Sequence, residues 1–267
     1  DHRDLHAFPT RRSSDLGVSS NNLKVYVLDL RTGKKIKELT PGTAIANAFV
    51  GSIAPGPQDI HRFEKGNPSF YSDDAVYAGY AQCTSNCETT SPVWDGGVLR
   101  LLTNNDITPK NWNLSTLVSG TGPVTAAVAK LQDRKNKKLW LYFGAGRYFF
   151  KGDDNTARRK LIGITEPCFV MDYPYGPAVM STDATCRADI AFSTSTFVDQ
   201  TTLQTTPDFT NKKGWFITLG DKDDVNYYGT ERVITDPVAM SNGAVFYTTF
   251  HPSTDACGFG GKSFIWG

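Results

Sequence analysis

Apolar residues along the chain fall into short runs of strand length, separated by turn-forming polar residues. The most apolar run is Leu139-Trp-Leu-Tyr-Phe-Gly-Ala-Gly-Arg-Tyr-Phe-Phe150. Its Trp, Tyr and Phe side chains suit a pleated surface, and Gly144 and Gly146 would each cost a helix about 1 kcal/mol. The pattern predicts a buried strand with two points of close backbone approach. A second apolar run, Gly122-Pro-Val-Thr-Ala-Ala-Val-Ala-Lys-Leu131, lies upstream, and Asp133-Arg-Lys-Asn-Lys-Lys138 joins the two as a charged hairpin turn.

That module of strand, polar turn and aromatic strand recurs. Arg232-Val-Ile-Thr-Asp-Pro-Val-Ala-Met240, then Ser241-Asn-Gly243, then Ala244-Val-Phe-Tyr-Thr-Thr-Phe250 has the same order, with an Asn-Gly turn that signals a two-residue hairpin. A looser copy runs from Ala44-Ile-Ala-Asn-Ala-Phe-Val50 through a Pro- and Gly-rich insertion, residues 51–72, to Asp74-Ala-Val-Tyr-Ala-Gly-Tyr80. Ile45 to Val124 is 79 residues and Val124 to Val233 is 109, so the period is irregular. Degenerate hairpin repeats with long insertions predict an all-β fold, a partial (truncated) β-propeller of about three to four blades.

Further strands follow from the same pattern. Lys24-Val-Tyr-Val-Leu-Asp-Leu30 alternates, and Asp29 with Thr32 and Gly33 predicts a bulged turn with the glycine in the left-handed region. Trp94-Asp-Gly-Gly-Val-Leu-Arg-Leu-Leu102 is a strand entered through a glycine pair, and Lys160-Leu-Ile-Gly-Ile164 has the pattern of an outer strand. Residues 193–211 form a polar excursion whose threonine clusters fit no core, and Lys213-Gly-Trp-Phe-Ile-Thr-Leu219 resumes the sheet.

Composition adds a core and removes some partners. With 39% hydrophobic and 12% aromatic residues the chain can bury a core, and a net charge of +1 lacks the basic face that nucleic acid requires. No run of eighteen apolar residues exists to span a membrane. Residues 1–16 stand apart: Phe8-Pro-Thr-Arg-Arg-Ser-Ser-Asp-Leu16 looks like one reading frame of a common sequencing adapter. We therefore expect the propeller domain to occupy residues 17–267.

Candidate chemistry is sparse. Cys83 and Cys87 lack the second clip that a zinc ribbon needs, so a local disulfide is expected, which implies an oxidising compartment. A Cys168 to Cys186 bridge would close a surface loop with little intrinsic order, and Cys257 is left with its partner open. Calcium is suggested by Asp221, Asp223, Asp224 and Asn226. Asp224, Asn226 and Gly229 take the first, third and sixth positions of a calcium loop, although Thr235 stands where the twelfth would be Glu. Two enzyme classes occur on propellers, quinone-dependent dehydrogenases and glycoside hydrolases. The former carry adjacent cysteines, absent here. For the latter, Asp95, Asp133, Asp153 or Asp236 could be nominated with nothing to rank them, and His61 and His251 lack a recognisable nucleophile.

Five phrases carry a resemblance to a known family. Gly122-Pro-Val-Thr-Ala-Ala, Leu139-Trp-Leu-Tyr-Phe-Gly-Ala-Gly-Arg-Tyr-Phe149, Gly163-Ile-Thr-Glu-Pro-Cys168, Glu231-Arg-Val-Ile-Thr-Asp-Pro-Val238 and Cys257-Gly-Phe-Gly-Gly261 resemble the C-terminal β-propeller of the PilC/PilY family of type IV pilus assembly and tip-adhesin proteins. The resemblance implies a non-enzymatic factor of the periplasm or bacterial cell surface that supports pilus extension and attachment. Implied partners are pilin, minor pilins and a host or abiotic surface. It also implies calcium on an Asp-rich loop within a blade. Here, however, Val76-Tyr-Ala-Gly79 continues into Tyr80 and the Cys83 to Cys87 insertion instead of such a loop.

Overall fold

The computed structural model describes residues 22–53, 58–60, 74–89, 91–104, 106, 108–149, 153–154, 157–202, 209, 211–220, 229–253 and 260–267. Among them the only helical pieces are two 3-10 turns, Pro109–Asn111 and Ala184–Arg187.

A hairpin of β1 (Val25–Leu28) and β2 (Lys35–Leu39) comes first. The Asp29 carboxylate accepts from the Arg31 and Thr32 amides, and Gly33 takes φ +67°, the expected bulged turn. Sheet A is a meander of β3 (Ala48–Val50), β4 (Ala75–Ser85), β5 (Val93–Leu102) and β6 (Asn113–Ser119). Sheet B begins likewise with β7 (Ala129–Asp133), β8 (Lys138–Gly144) and β9 (Lys160–Thr165). A small hairpin, β10 (Phe169–Met171) with β11 (Ala178–Met180), precedes β12 (Ile190–Ala191) and β13 (Phe197–Asp199). Then β14 (Gly214–Thr218) joins sheet B against β9, with β13 paired in parallel on its outer side. The strand at Lys160–Thr165 is thus third in its sheet, and β14 lies outside it. Sheet C contains β15 (Arg232–Val233) and β16 (Val238–Ala239), both on β17 (Val245–Pro252), which also pairs β18 (Gly261–Trp266).

The sheets stack face to face in chain order. Val25, Val27 and Leu39 of the hairpin cover Val76, Ala78, Tyr80, Leu99 and Leu101 of sheet A. The opposite face of sheet A, with Tyr77, Val98 and Val118, packs on Leu139, Leu141, Phe143, Ile162 and Ile164 of sheet B. Tyr142 and Leu161 on the far side of sheet B meet Val233 and Tyr247 of sheet C. Strands covered on both faces need apolar residues at consecutive positions, which is why β4 and β8 read as runs and not as alternations. Among the described residues the architecture is all-β and propeller-like: three sheets of four or five strands, preceded by one two-stranded hairpin and accompanied by a second, β10 with β11.

One contact repeats between successive modules. A Cβ on Gly79 in β4 would stand 2.4 Å from Cγ1 of Val124, and one on Gly144 in β8 would stand 2.2 Å from Cγ2 of Val233. In both places the valine amide donates to the carbonyl one residue beyond the glycine, Val124 to Tyr80 and Val233 to Ala145. Each glycine is therefore the socket for a valine of the next module, and the second of the two approaches expected at Gly144 and Gly146 is also filled by residue 233.

Four further expectations are corrected. The aromatic strand stops at Gly144 instead of Phe150, because Arg147 turns into a buried ionic cluster. The loop between Cys168 and Cys186 holds a hairpin whose Phe169, Met171, Ala178 and Met180 enter the core, so it is not a surface loop lacking order. The polar excursion likewise delivers Phe197 to that core. The turn at Ser241–Gly243 also has three residues: the Gly243 and Met240 amides donate to the Met240 and Ala244 carbonyls, with Gly243 at φ +96°.

Candidate functional site

The densest chemistry lies just past β8. The Arg147 guanidinium donates from Nε to Oδ1 of Asp153 at 2.9 Å, and its backbone amide donates to Oδ2 of Asp154 at 3.1 Å. Asp153 also accepts from the Phe149 amide, and Asp154 pairs with Arg159. Arg232 reaches in from sheet C, donating to the carbonyls of Arg147, Asp153 and Thr230. The remaining face of Arg147 is stacked on aromatic rings, 3.7 Å from the Trp94 centroid, 4.7 Å from Phe149 and 5.3 Å from Phe49. Trp94 and Phe49 belong to sheet A, so this one guanidinium links sheets A and B while Arg232 adds sheet C.

Burial decides the electrostatics here. It pushes the Asp154 pKa up, against the pull of Arg159 and Arg232, and pushes that of Arg232 down. Three guanidinium groups against two carboxylates leave the cluster positive, and each member is engaged by hydrogen bonds or ion pairs. Such an arrangement can clamp three sheets together, and it offers no free base or nucleophile.

A second buried pair crosses from sheet A to sheet B. Nη1 of Arg100 in β5 lies 2.7 Å from Oε1 of Glu166, and both side chains are fully buried. Arg100 also donates to the Ser115 hydroxyl, and Glu166 accepts from the Cys168 amide at 2.8 Å. The Tyr77 hydroxyl lies close by without a well-formed hydrogen bond; burial first, then the Glu166 charge, raise its pKa well above the ordinary phenol value.

The residues singled out from sequence divide into three groups. Asp221, Asp223, Asp224 and Asn226 lie outside the described residues, as do His61 and Cys257. What is described is the neck of that Asp-rich loop. Glu231 accepts from the Gly220 amide at 2.9 Å and from the Thr249 hydroxyl, and His251 Nε2 bonds the Gly229 carbonyl at 2.9 Å. Among the described residues no three or more metal-ligating side chains converge. The cysteines form Cys83–Cys87 and Cys168–Cys186 disulfides.

The nominated carboxylates have structural occupations. Asp95 accepts from the Gly96 and Gly122 amides, Asp133 from the Asn136 amide, and Asp236 from the Ala127 amide at 2.7 Å. Asp236 thereby ties sheet C to the segment entering sheet B. Sequence reasoning missed the ionic clusters. The available signal was Arg147, Asp153, Asp154 and Arg159 flanking an otherwise apolar strand, since such charges are rarely buried unless paired.

No protein-family model matches the chain, and no curated protein does. Among solved structures it is similar to the C-terminal domain of Pseudomonas aeruginosa PilY1, with a TM-score of 0.53 and 16% sequence identity over 87% of this chain and 52% of that one. The chain spans about half the length of that structure. At this identity the likeness is one of fold: the stacked hairpin sheets described above follow the architecture of the PilY1 C-terminal domain.

Proposed function

We propose that this chain is a non-enzymatic factor of type IV pilus biogenesis, a pilus-tip-associated adhesin domain that supports pilus extension and surface attachment. The observation that carries the reading is a fold likeness extending over 87% of the chain, joined to the five separate sequence phrases that resemble the same family. The engagement of Asp95, Asp133, Asp153 and Asp236 in holding backbone and arginine supports a scaffold over a glycosidase. Two disulfides support assembly in the periplasm or at the cell surface.

On this reading the long connections between strands meet pilin, minor pilins and the attachment surface, while the stacked sheets keep them in place. Calcium held by Asp221, Asp223, Asp224 and Asn226 is part of the proposal, as is a domain that begins at residue 17. The test is a binding assay between the purified chain and the minor pilins encoded beside its gene. Saturable binding that survives physiological salt is expected. Minor pilins that do not bind, or sugar turnover or a quinone absorbance band from the purified chain, would overturn it. For the metal, calcium should raise the melting temperature of the chain and leave that of an Asp223→Asn, Asp224→Asn variant unchanged; equal shifts in both would refute the site.

A further inference from the structure

The segment from Cys186 to Gln200 runs across the outer edges of two sheets. Its β12 pairs in parallel with Val118 and Ser119 at the edge of sheet A, and its β13 pairs in parallel with residues 214–216 at the edge of sheet B. Between them Phe192 packs on Phe197 and Phe216 at 4.9 and 5.2 Å, and the Lys160 ammonium sits 5.1 Å over the Phe192 ring. The Phe192 amide donates to the Ser119 carbonyl, and the Asp189 carboxylate accepts from the Ser119 hydroxyl. The segment is thus a strap that joins sheet A to sheet B at their rims.

Its grip on sheet A is slight, since β12 is only two residues long and parallel pairing is the weaker kind per residue. The covalent hold is the Cys168–Cys186 disulfide, four residues before β12. Cys168 is buried beside Glu166 at the end of β9, whereas Cys186 is half-buried in the 3-10 turn Ala184–Arg187.

We propose that the Cys168–Cys186 disulfide is a redox latch on this strap: oxidised, it holds Ile190 and Ala191 on the edge of sheet A; reduced by a dithiol, it lets that end of the strap leave while both sheets stay folded. A thiolate of the dithiol attacks Sγ of Cys186, the sulfur–sulfur bond breaks, and Cys168 leaves as a thiolate that takes up a proton. The second thiolate of the dithiol then closes on the first sulfur, forming a cyclic disulfide and releasing the Cys186 thiolate, which is protonated in turn. Two electrons pass from the dithiol to the protein. Because the leaving thiolate forms in a buried site, exchange is slower here than at Cys83–Cys87, where Cys87 is exposed. In a cell the strap would close only after the chain reaches an oxidising compartment.

Hydrogen exchange read by mass spectrometry on the full chain, with and without dithiothreitol, tests the latch. On reduction, peptides containing Ile190 and Ala191 and the edge amides of β6 should lose at least about tenfold more protection than those of β4 and β8, whose protection falls only with the global stability. A Cys83→Ser, Cys87→Ser variant should respond as the parent does, and Cys186→Ser should show the loosened strap without reductant. Unchanged exchange at β12 would overturn the proposal, since the strap would then be held by its strands and Phe192 alone. A uniform rise through sheets A and B would also overturn it, making the disulfide a general clamp.

Discussion

Replacing Glu166 by Gln should cost more stability than its single ion pair suggests. The substitution removes one charge from a pair in which both side chains are fully buried, and leaves the Arg100 guanidinium facing a neutral amide. Breaking a buried pair by removing one partner costs about 3–5 kcal/mol, because the surviving charge stays desolvated. Gln retains a carbonyl oxygen for Arg100 and for the Cys168 amide, which favours the lower end, about 3 kcal/mol, or roughly a 150-fold fall in the folded-to-unfolded ratio. Arg100→Met should cost a similar amount, by stranding the carboxylate. The double variant Arg100→Met, Glu166→Leu should lose less than either single one, because no unpaired charge remains. Urea unfolding followed by tryptophan fluorescence gives all four corners of the cycle. A loss under about 1 kcal/mol for Glu166→Gln, or a double variant equal to the sum of the singles, would refute the reasoning.

Lys130 is held by burial at a pKa of about 8, below the ordinary lysine value, so between about pH 8 and pH 10 the unfolded chain binds more protons than the folded one. Stability should therefore rise with pH across that window, and Lys130→Met should flatten the rise; a urea midpoint series that is flat in the parent would contradict this. Above about pH 10 the buried Tyr77 and Tyr247, whose pKa values are raised by burial, should reverse the trend. By the loop-entropy relation, removing Cys168–Cys186, which closes the longer loop, should cost about 3 kcal/mol, and removing Cys83–Cys87 about 2 kcal/mol. Equal losses in urea midpoints would show that loop length does not govern the effect. Gly144→Ala forces a Cβ into Val233 and should cost about 1–3 kcal/mol, whereas Gly42→Ala, with open space around it, should be nearly silent in a thermal melt.

What was legible in the sequence is what local pattern determines. The hairpin at Gly33, the close approaches at Gly144 and Gly146 and the pairing of β7 with β8 follow from alternation, turn residues and glycines inside an aromatic run, whereas the socket at Gly79 and the inner place of β9 do not. Strands of two or three residues leave too little pattern to see. Phe169, Met171 and Phe197 looked like loop residues because their burial depends on partners far along the chain, as does the parallel pairing of β12 and β13. The ionic clusters were hidden for the same reason: Arg100 meets Glu166 across 66 positions, and Arg232 reaches Arg147 across 85. An isolated arginine in an apolar strand gives no sign of its counter-ion.

The stacking of successive modules is tested most directly by methyl nuclear Overhauser spectroscopy of the deuterated chain with protonated valine and glycine. Strong cross-peaks are predicted between the Val124 methyls and the Gly79 α-protons, and between the Val233 methyls and the Gly144 α-protons. If the protein is folded but both pairs are silent, with these valines contacting other residues instead, the sheets do not stack in chain order and the propeller-like account is wrong.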